Sequence, residues 1–72
     1  MTRGTQHPRR ELVTLRAYVE TGSHKAAAHR LGISESTSRQ RVSQLMKRVG
    51  ATNAAQAVWR LRQDLEGEPR LV

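Results

Sequence analysis

The segment LGISESTSRQRVSQL, residues 31–45, gathers side chains that can bind the edges of nucleic-acid bases and phosphate oxygens. Arginine presents a planar fork that fits guanine O6 and N7, and glutamine presents a paired donor and acceptor that fits adenine N6 and N7. Serine and threonine hydroxyls, like the N-terminus of a helix, suit phosphate oxygens. The residue types of this segment therefore predict contact with a nucleic acid.

The spacing of these residues predicts that they share one face of a helix. If Val42, Leu45 and Val49 face the core, the side chains at three- and four-residue spacings opposite them form an outer polar face. Arg41 lies toward the side of this helix, where it either contacts the groove or only neutralises a phosphate. The predicted DNA-binding residues are Ser34, Ser36, Thr37, Arg39, Gln40, Arg41, Ser43 and Lys47.

The charge of the chain favours a polyanionic partner. Thirteen Lys and Arg against six Asp and Glu give a formal net charge of +7, and residues 23–50 hold six basic residues against Glu35 alone. A concentration of positive charge of this kind attracts nucleic acids. A merely solvated basic face is the alternative interpretation of the charge by itself.

The length and composition of the chain limit what the fold can be. Seventy-two residues allow one domain with a small, mostly aliphatic core. The chain has no cysteine, and no apolar run approaches the roughly 18 residues of a membrane span. The N-terminus does not resemble a signal peptide. We therefore expect a soluble, cytoplasmic protein without disulfides or membrane insertion.

Caps and hydrophobic periodicity predict four helices and no strand. The first begins at Pro8 and ends near Thr21, with Leu12, Leu15 and Val19 inward. The second spans residues 24–31 after the N-cap Ser23, and the third spans residues 35–49 after the N-cap Ser34. The fourth spans residues 53–65, with Asn53 as its N-cap and Gln56 at the third helical position, close to the capping-box pattern.

The second and third predicted helices are joined by Gly32, Ile33 and Ser34 alone, which is typical of a helix-turn-helix motif. The sequence thus predicts an all-α, four-helix (tetrahelical) helix-turn-helix domain. This domain occupies residues 8–65, between a flexible N-terminal arm at residues 1–7 and a C-terminal tail at residues 66–72.

The segment AAAHRLGISESTSRQRVSQLMKRVGATNAAQAV, residues 26–58, resembles the C-terminal half of LuxR/GerE-type helix-turn-helix domains. The family pattern E-I-A-x-x-L-G-I-S-x-x-T-V-x-x-H-V-x-x-I-x-x-K-L-G-V-x-N-R-x-Q-A-V aligns with it without a gap. Matching residues are Leu31, Gly32, Ile33, Ser34, Thr37, Val42, Gly50, Asn53, Gln56, Ala57 and Val58. Ser38 stands where the pattern has valine, and Arg41 where it usually has histidine.

The resemblance implies that the third helix enters the major groove and that the fourth forms a dimer contact. It implies base contacts for Arg39, Gln40 and Ser43, and backbone contacts for Thr37 and Lys47. In such proteins a receiver or ligand-binding domain usually precedes this module, and the sequence contains none, so we expect either a stand-alone regulator or an excised domain.

A second resemblance competes over residues 20–34. The stretch ETGSHKAAAHRLGIS is similar to the opening of LysR-type winged helices, in which a G-S-x-x-x-A-A-x-x-L pattern precedes the recognition helix. That family requires a pair of strands forming a wing, whereas GATNAAQAVWRLRQDL has the pattern of a capped amphipathic helix. We therefore favour the LuxR/GerE type. A sigma-factor region-4 module, which shares the helix-turn-helix motif, is a further alternative.

The remaining residues of interest are not expected to form a metal site or a catalytic site. Trp59 lies off the apolar stripe of the fourth helix, and we expect it to pack on the first helix beside Tyr18, with a dimer contact as the alternative. His24 and His29 lie about 140° apart around a helix and lack further ligands, so no metal site and no cofactor are predicted. The acidic residues are scattered and no nucleophile has a base nearby, so we expect no enzymatic activity.

Together these observations predict a sequence-specific double-stranded DNA-binding transcription regulator of bacterial type. Helix 35–49 would lie in the major groove, and helix 53–65 would form a homodimer. The alternative is a helix-turn-helix-derived protein-interaction module that docks on another regulator or on RNA polymerase through the fourth helix and Trp59.

Overall fold

A computed structural model describes residues 7–66, which form helices and connecting turns without a strand. The helices are α1 (Arg9–Thr21), α2 (His24–Leu31), α3 (Glu35–Val49), α4 (Ala54–Arg60) and α5 (Arg62–Glu66). The all-α prediction and the bounds of the first three helices are confirmed. The predicted arm at residues 1–7 and tail at residues 66–72 fall almost wholly outside the described residues.

Side-chain caps begin three of the helices at the predicted residues. Ser23 accepts from the backbone N–H of Ala26 at 3.0 Å and begins α2, and Ser34 caps α3 in the same way. Asn53 accepts from the N–H of Gln56 at 2.8 Å and begins α4. The Gln56 side chain accepts from the N–H of Thr52 rather than Asn53, so the capping box closes one residue earlier than the pattern predicts.

The turn between α2 and α3 is tight because Gly32 adopts a left-handed conformation, with φ of 70°. The N–H of Ile33 then reaches the carbonyl of Ala28 at 3.0 Å, which is the long hydrogen bond of a Schellman motif. This turn reverses the chain directly into the Ser34 cap. The helix-turn-helix geometry therefore depends on one residue with positive φ.

The core lies between α1, α3 and the last two helices. Its buried members are Leu12, Leu15, Val42, Leu45, Ala57, Leu61 and Leu65. The small, buried Ala27 and Ala28 bring α2 close to its neighbours. Val19, which was predicted to face inward, is 47% exposed because it borders an open hollow between α1 and the α4–α5 segment rather than a covering helix.

The predicted fourth helix is interrupted at Leu61. The side chain of Arg62 donates to the carbonyl of Trp59 at 2.7 Å, and Leu61 leaves helical geometry with φ of −105° and ψ of 13°. Hydrogen bonds from Leu61 to Ala57 and from Leu65 to Leu61 span the break, each 2.9 Å long. Leu61 and Leu65 therefore still face the core, although α4 and α5 are separate short helices.

Candidate nucleic-acid interface

The outer face of α3 is polar and uncovered. Ser38, Val42 and Leu45 are buried and define the inward direction of this helix. At about 100° per residue, four exposed side chains lie opposite them. We call Ser36, Gln40, Ser43 and Lys47 the outer stripe. It follows the helix for three turns, and none of its members packs against α1.

The other predicted site residues lie beside the outer stripe rather than on it. Arg39 is exposed on one flank of α3, about 70° from the middle of the stripe. Thr37 and Arg41 are half-buried on the opposite flank. Ser34 is exposed at the N-terminus of the helix. The predicted set is therefore brought together on one helix but spread over three of its sides.

Ser34 acts as the predicted cap of α3. Its Oγ accepts from the backbone N–H of Thr37 at 3.0 Å and donates to Thr37 Oγ1 at 2.8 Å. Both hydroxyls are thus oriented by each other before any ligand is present. The remaining lone pairs and the free N–H groups of the first turn stay at the surface.

Arg39 forms an ion pair that the sequence analysis missed. Its Nη2 lies 2.6 Å from Glu35 Oε2, one helical turn earlier, and its side chain is 60% exposed. The i, i+4 order of Glu and Arg was the available signal. Such exposed pairs stabilise a helix by only about 0.3–0.5 kcal/mol, so a stronger acceptor can displace the carboxylate.

A hydrogen-bonded histidine holds the first half of α3 against α1 and α2. His24 Nδ1 lies 3.0 Å from the hydroxyl oxygen of Ser38, and its ring stacks on Tyr18 with 4.1 Å between centroids. Partial burial lowers the pKa of His24, and the nearby Arg39 lowers it further while Glu35 opposes the shift. Ser38, which departs from the valine of the LuxR/GerE pattern, is therefore buried with a polar partner.

A buried carboxylate holds the second half of α3. Glu11 of α1 is 2% exposed and accepts from Arg48 through both guanidinium nitrogens. The hydrogen bond to Glu11 raises the pKa of Arg48. Arg48 is thus a structural residue, and the basic charge around α3 is smaller than the sequence suggests.

The uncompensated positive charge near α3 comes from three residues. Within residues 7–66, no acidic side chain forms an ion pair with Lys25, Arg41 or Lys47. Arg30, by contrast, donates to Glu20 at 2.8 Å. Positive charge therefore lies on the outer stripe at Lys47, on the Arg41 side of α3, and on α2 at Lys25.

Gln44 extends the outer face and was not among the predicted residues. It is exposed and lies one turn after Gln40, close to Lys47 on the helix surface. The i, i+4 spacing of the two glutamines was the signal in the sequence. Gln44 thus provides a second amide beside the stripe.

The expectation for Trp59 is wrong. Its side chain does not pack beside Tyr18, whose ring stacks on His24. Instead Trp59 is 66% exposed, and the guanidinium carbon of Arg62 lies 4.0 Å from the centre of its ring. A large apolar surface is therefore left open on the α4–α5 segment.

Comparison with known proteins identifies a family. A family model described as bacterial regulatory helix-turn-helix protein, lysR family, matches residues 9–52. Neither the curated proteins nor the solved structures contain a match to this chain. In the part of the chain that the structure describes, no helix combines the length and the apolar composition needed to cross a membrane.

The family match confirms the helix-turn-helix motif and corrects its type. It supports the LysR resemblance carried by the G-S-x-x-x-A-A-x-x-L pattern and gives no support to the LuxR/GerE type. We favoured the latter because residues 53–65 have a helical pattern, and the structure does form α4 and α5 there. The match ends at residue 52, before the place of a wing, and residues 54–66 form these two helices where a pair of strands was expected for that family.

Proposed function

Because the chain belongs to the lysR family of bacterial regulatory helix-turn-helix proteins, we propose that it is a sequence-specific double-stranded DNA-binding transcription regulator whose α3 lies in the major groove. The observation that carries this proposal is the uncovered outer stripe of Ser36, Gln40, Ser43 and Lys47 on the second helix of the motif. A helix about 10–12 Å across fits the major groove, which is about 12 Å wide.

The side chains of α3 suit distinct parts of the DNA. Gln40 provides the paired donor and acceptor that fits adenine, and Arg39 reaches guanine once it leaves Glu35. The short side chains of Ser36 and Ser43 allow the helix to approach the floor of the groove.

The two ends of the helix suit the sugar-phosphate backbone. Ser34 and Thr37 provide hydroxyls at the N-terminus, where the helix dipole favours anions. Lys47 and Arg41 provide positive charge for phosphate oxygens. Contacts of this kind fix the register of the protein on the duplex.

The proposal includes a homodimer formed through residues 53–65 and acting in the cytoplasm. The exposed indole of Trp59 supports it, because large aromatic side chains are enriched in interfaces. A twofold dimer would bind two half-sites related by pseudo-palindromic symmetry.

The proposed function needs neither a cofactor nor catalysis.

Selection of bound sequences from random duplexes, followed by titration of the selected site, tests the proposal. We expect Gln40→Ala to weaken binding by about 5- to 150-fold, the equivalent of about 1–3 kcal/mol, and to abolish preference at one base pair. The control is His29→Ala, which removes an exposed side chain from α2, outside both α3 and residues 53–65. Failure to select any sequence, or equal effects of the two substitutions, would contradict the proposal.

The second candidate function is a protein-interaction module that docks on another regulator or on RNA polymerase. The exposed Trp59 favours it, since α4 presents this ring away from the core. Binding to DNA releases counterions and weakens steeply with salt, by about 0.9 in log K per phosphate for each tenfold rise in salt. Binding that is insensitive to salt and lost in Trp59→Ala would favour the interaction module.

A further inference from the structure

Three arginines from two helices surround one open hollow at the start of α1. Arg9 and Arg10 belong to the first turn of α1, and Arg41 belongs to the middle of α3. The hollow has a volume of about 430 Å³, and its other lining residues are Val13, Thr14 and Leu31. We call it the arginine hollow.

The charge of the arginine hollow is of one sign. Among residues 7–66, no acidic side chain lines it. The nearest carboxylate in sequence, Glu11, is buried and bound to Arg48. The N-terminus of the 13-residue helix α1 adds its partial positive charge. The hollow therefore suits a compact anion.

The other lining residues shape the hollow without competing for an anion. The Thr14 hydroxyl is buried and donates to the carbonyl of Arg10 at 2.6 Å. Val13 and Leu31 provide half-buried apolar surface against which arginine stems can lie while their charged ends remain in water. The guanidinium groups of Arg10 and Arg41 then supply forked donors, which match phosphate oxygens in pairs.

The position of the hollow relative to the outer stripe suggests its ligand. Arg41 lies about 130° around α3 from the middle of the stripe, on the side opposite Arg39. A helix that fills the major groove has one strand of the backbone beside each flank. The strand on the Arg41 side would therefore run past the arginine hollow.

We propose that the arginine hollow binds a backbone phosphate of the DNA strand beside Arg41, with Arg10 and Arg41 as its principal donors. This inference rests on the proposed function, because it places α3 in the groove. It adds a contact from α1, outside the helix-turn-helix pair. The contact positions the duplex and does not read sequence.

The test measures how the affinity for the selected duplex changes with salt concentration in the wild-type protein and in the variants Arg10→Ala and Arg41→Gln. Loss of one phosphate contact makes the slope of log K against log salt less negative by about 0.9. If the affinities are equal at 1 M salt, this change corresponds to an affinity about eightfold lower than that of the wild type at 0.1 M salt. We expect each variant to show this change with unaltered base preference. Because both arginines bind one phosphate, the double variant should lose less than the sum of the two single losses.

Arg30→Ala is the matched control, since it removes the same charge at the other end of α1, where Arg30 pairs with Glu20. It should leave the slope unchanged. Thermal unfolding of all variants checks that each is folded at the temperature of the titration.

The outcomes separate this inference from the proposed function. Suppose that the DNA affinity of the wild-type protein falls steeply with salt and that Arg10→Ala has the same slope as Arg30→Ala. The arginine hollow then does not contact DNA, and the inference alone fails. If the wild-type protein binds no DNA, both fail. Titration with inorganic phosphate distinguishes a free anion as ligand: saturation at the Arg41 side-chain resonances, with DNA affinity unchanged in the variants, would also overturn the inference.

Discussion

His24 connects three helices through one side chain, and its protonation should affect stability. The ring stacks on Tyr18 of α1, and its Nδ1 is hydrogen-bonded to Ser38 of α3. Arg39 and Glu35 are the charged groups that act on it, and the net shift of its pKa is downward. The folded state therefore disfavours the imidazolium more than the unfolded state does.

The direction of the pH dependence follows from that shift. Because the folded pKa of His24 lies below the unfolded value of about 6.5, its contribution to stability is complete above pH 6.5 and is lost as the pH falls through the folded pKa. We expect the stability advantage of the wild-type protein over His24→Gln to shrink between pH 8 and pH 5. Urea denaturation at several pH values measures it. An advantage that stays constant or grows toward pH 5 would contradict the assignment.

Several residue-scale features of the site could not be predicted because they depend on neighbours distant in sequence. The outer stripe followed from periodicity, and the Ser34 cap from local residue preference. The burial of Glu11 depends on Arg48, which lies 37 residues away. The polar role of Ser38 depends on His24 in another helix. Patterns within one helix do not contain that information.

At the scale of elements, the reversal between α2 and α3 should tolerate asparagine better than alanine at position 32. Gly32 has φ of 70°, and a Cβ placed there would meet nothing within 4 Å. The cost of a side chain is therefore conformational rather than steric. We expect Gly32→Ala to lower the free energy of unfolding by about 1–2 kcal/mol and Gly32→Asn to lower it by less.

Urea denaturation of the two Gly32 variants measures the difference, and Ala26→Gly provides a substitution at an exposed helical position of α2 for comparison. Equal costs for alanine and asparagine would show that the left-handed turn does not limit stability.

The boundaries of the first three helices were predictable, whereas the interruption of the fourth was not. Ser23, Gly32, Ser34 and Gly50 act through hydrogen bonds within five residues, and their effect is visible in the sequence. At the break, the Arg62 side chain donates to the carbonyl of Trp59, and periodicity does not reveal such a contact.

At the scale of the whole molecule, the exposed α4–α5 surface should control association. Trp59 and Val19 are the exposed large apolar side chains of the described part of the chain. A core this small leaves limited stability, so burial of these surfaces in a dimer would also stabilise the fold.

We expect Trp59→Ala to shift the protein from dimer to monomer in sedimentation velocity and to remove cooperative binding to paired half-sites. Gln40→Ala, an exposed substitution on α3 and outside residues 53–65, should leave the sedimentation coefficient unchanged. A wild-type protein that sediments as a monomer at every concentration, free and on DNA, would contradict the dimer.

Amide-resolved NMR titration with the selected duplex tests most directly the central claim that α3 presents the surface that binds DNA. We predict that the largest shifts occur at Ser36, Gln40, Ser43 and Lys47, with smaller ones at the start of α1. Shifts concentrated around Trp59, with the α3 resonances unmoved, would contradict the account.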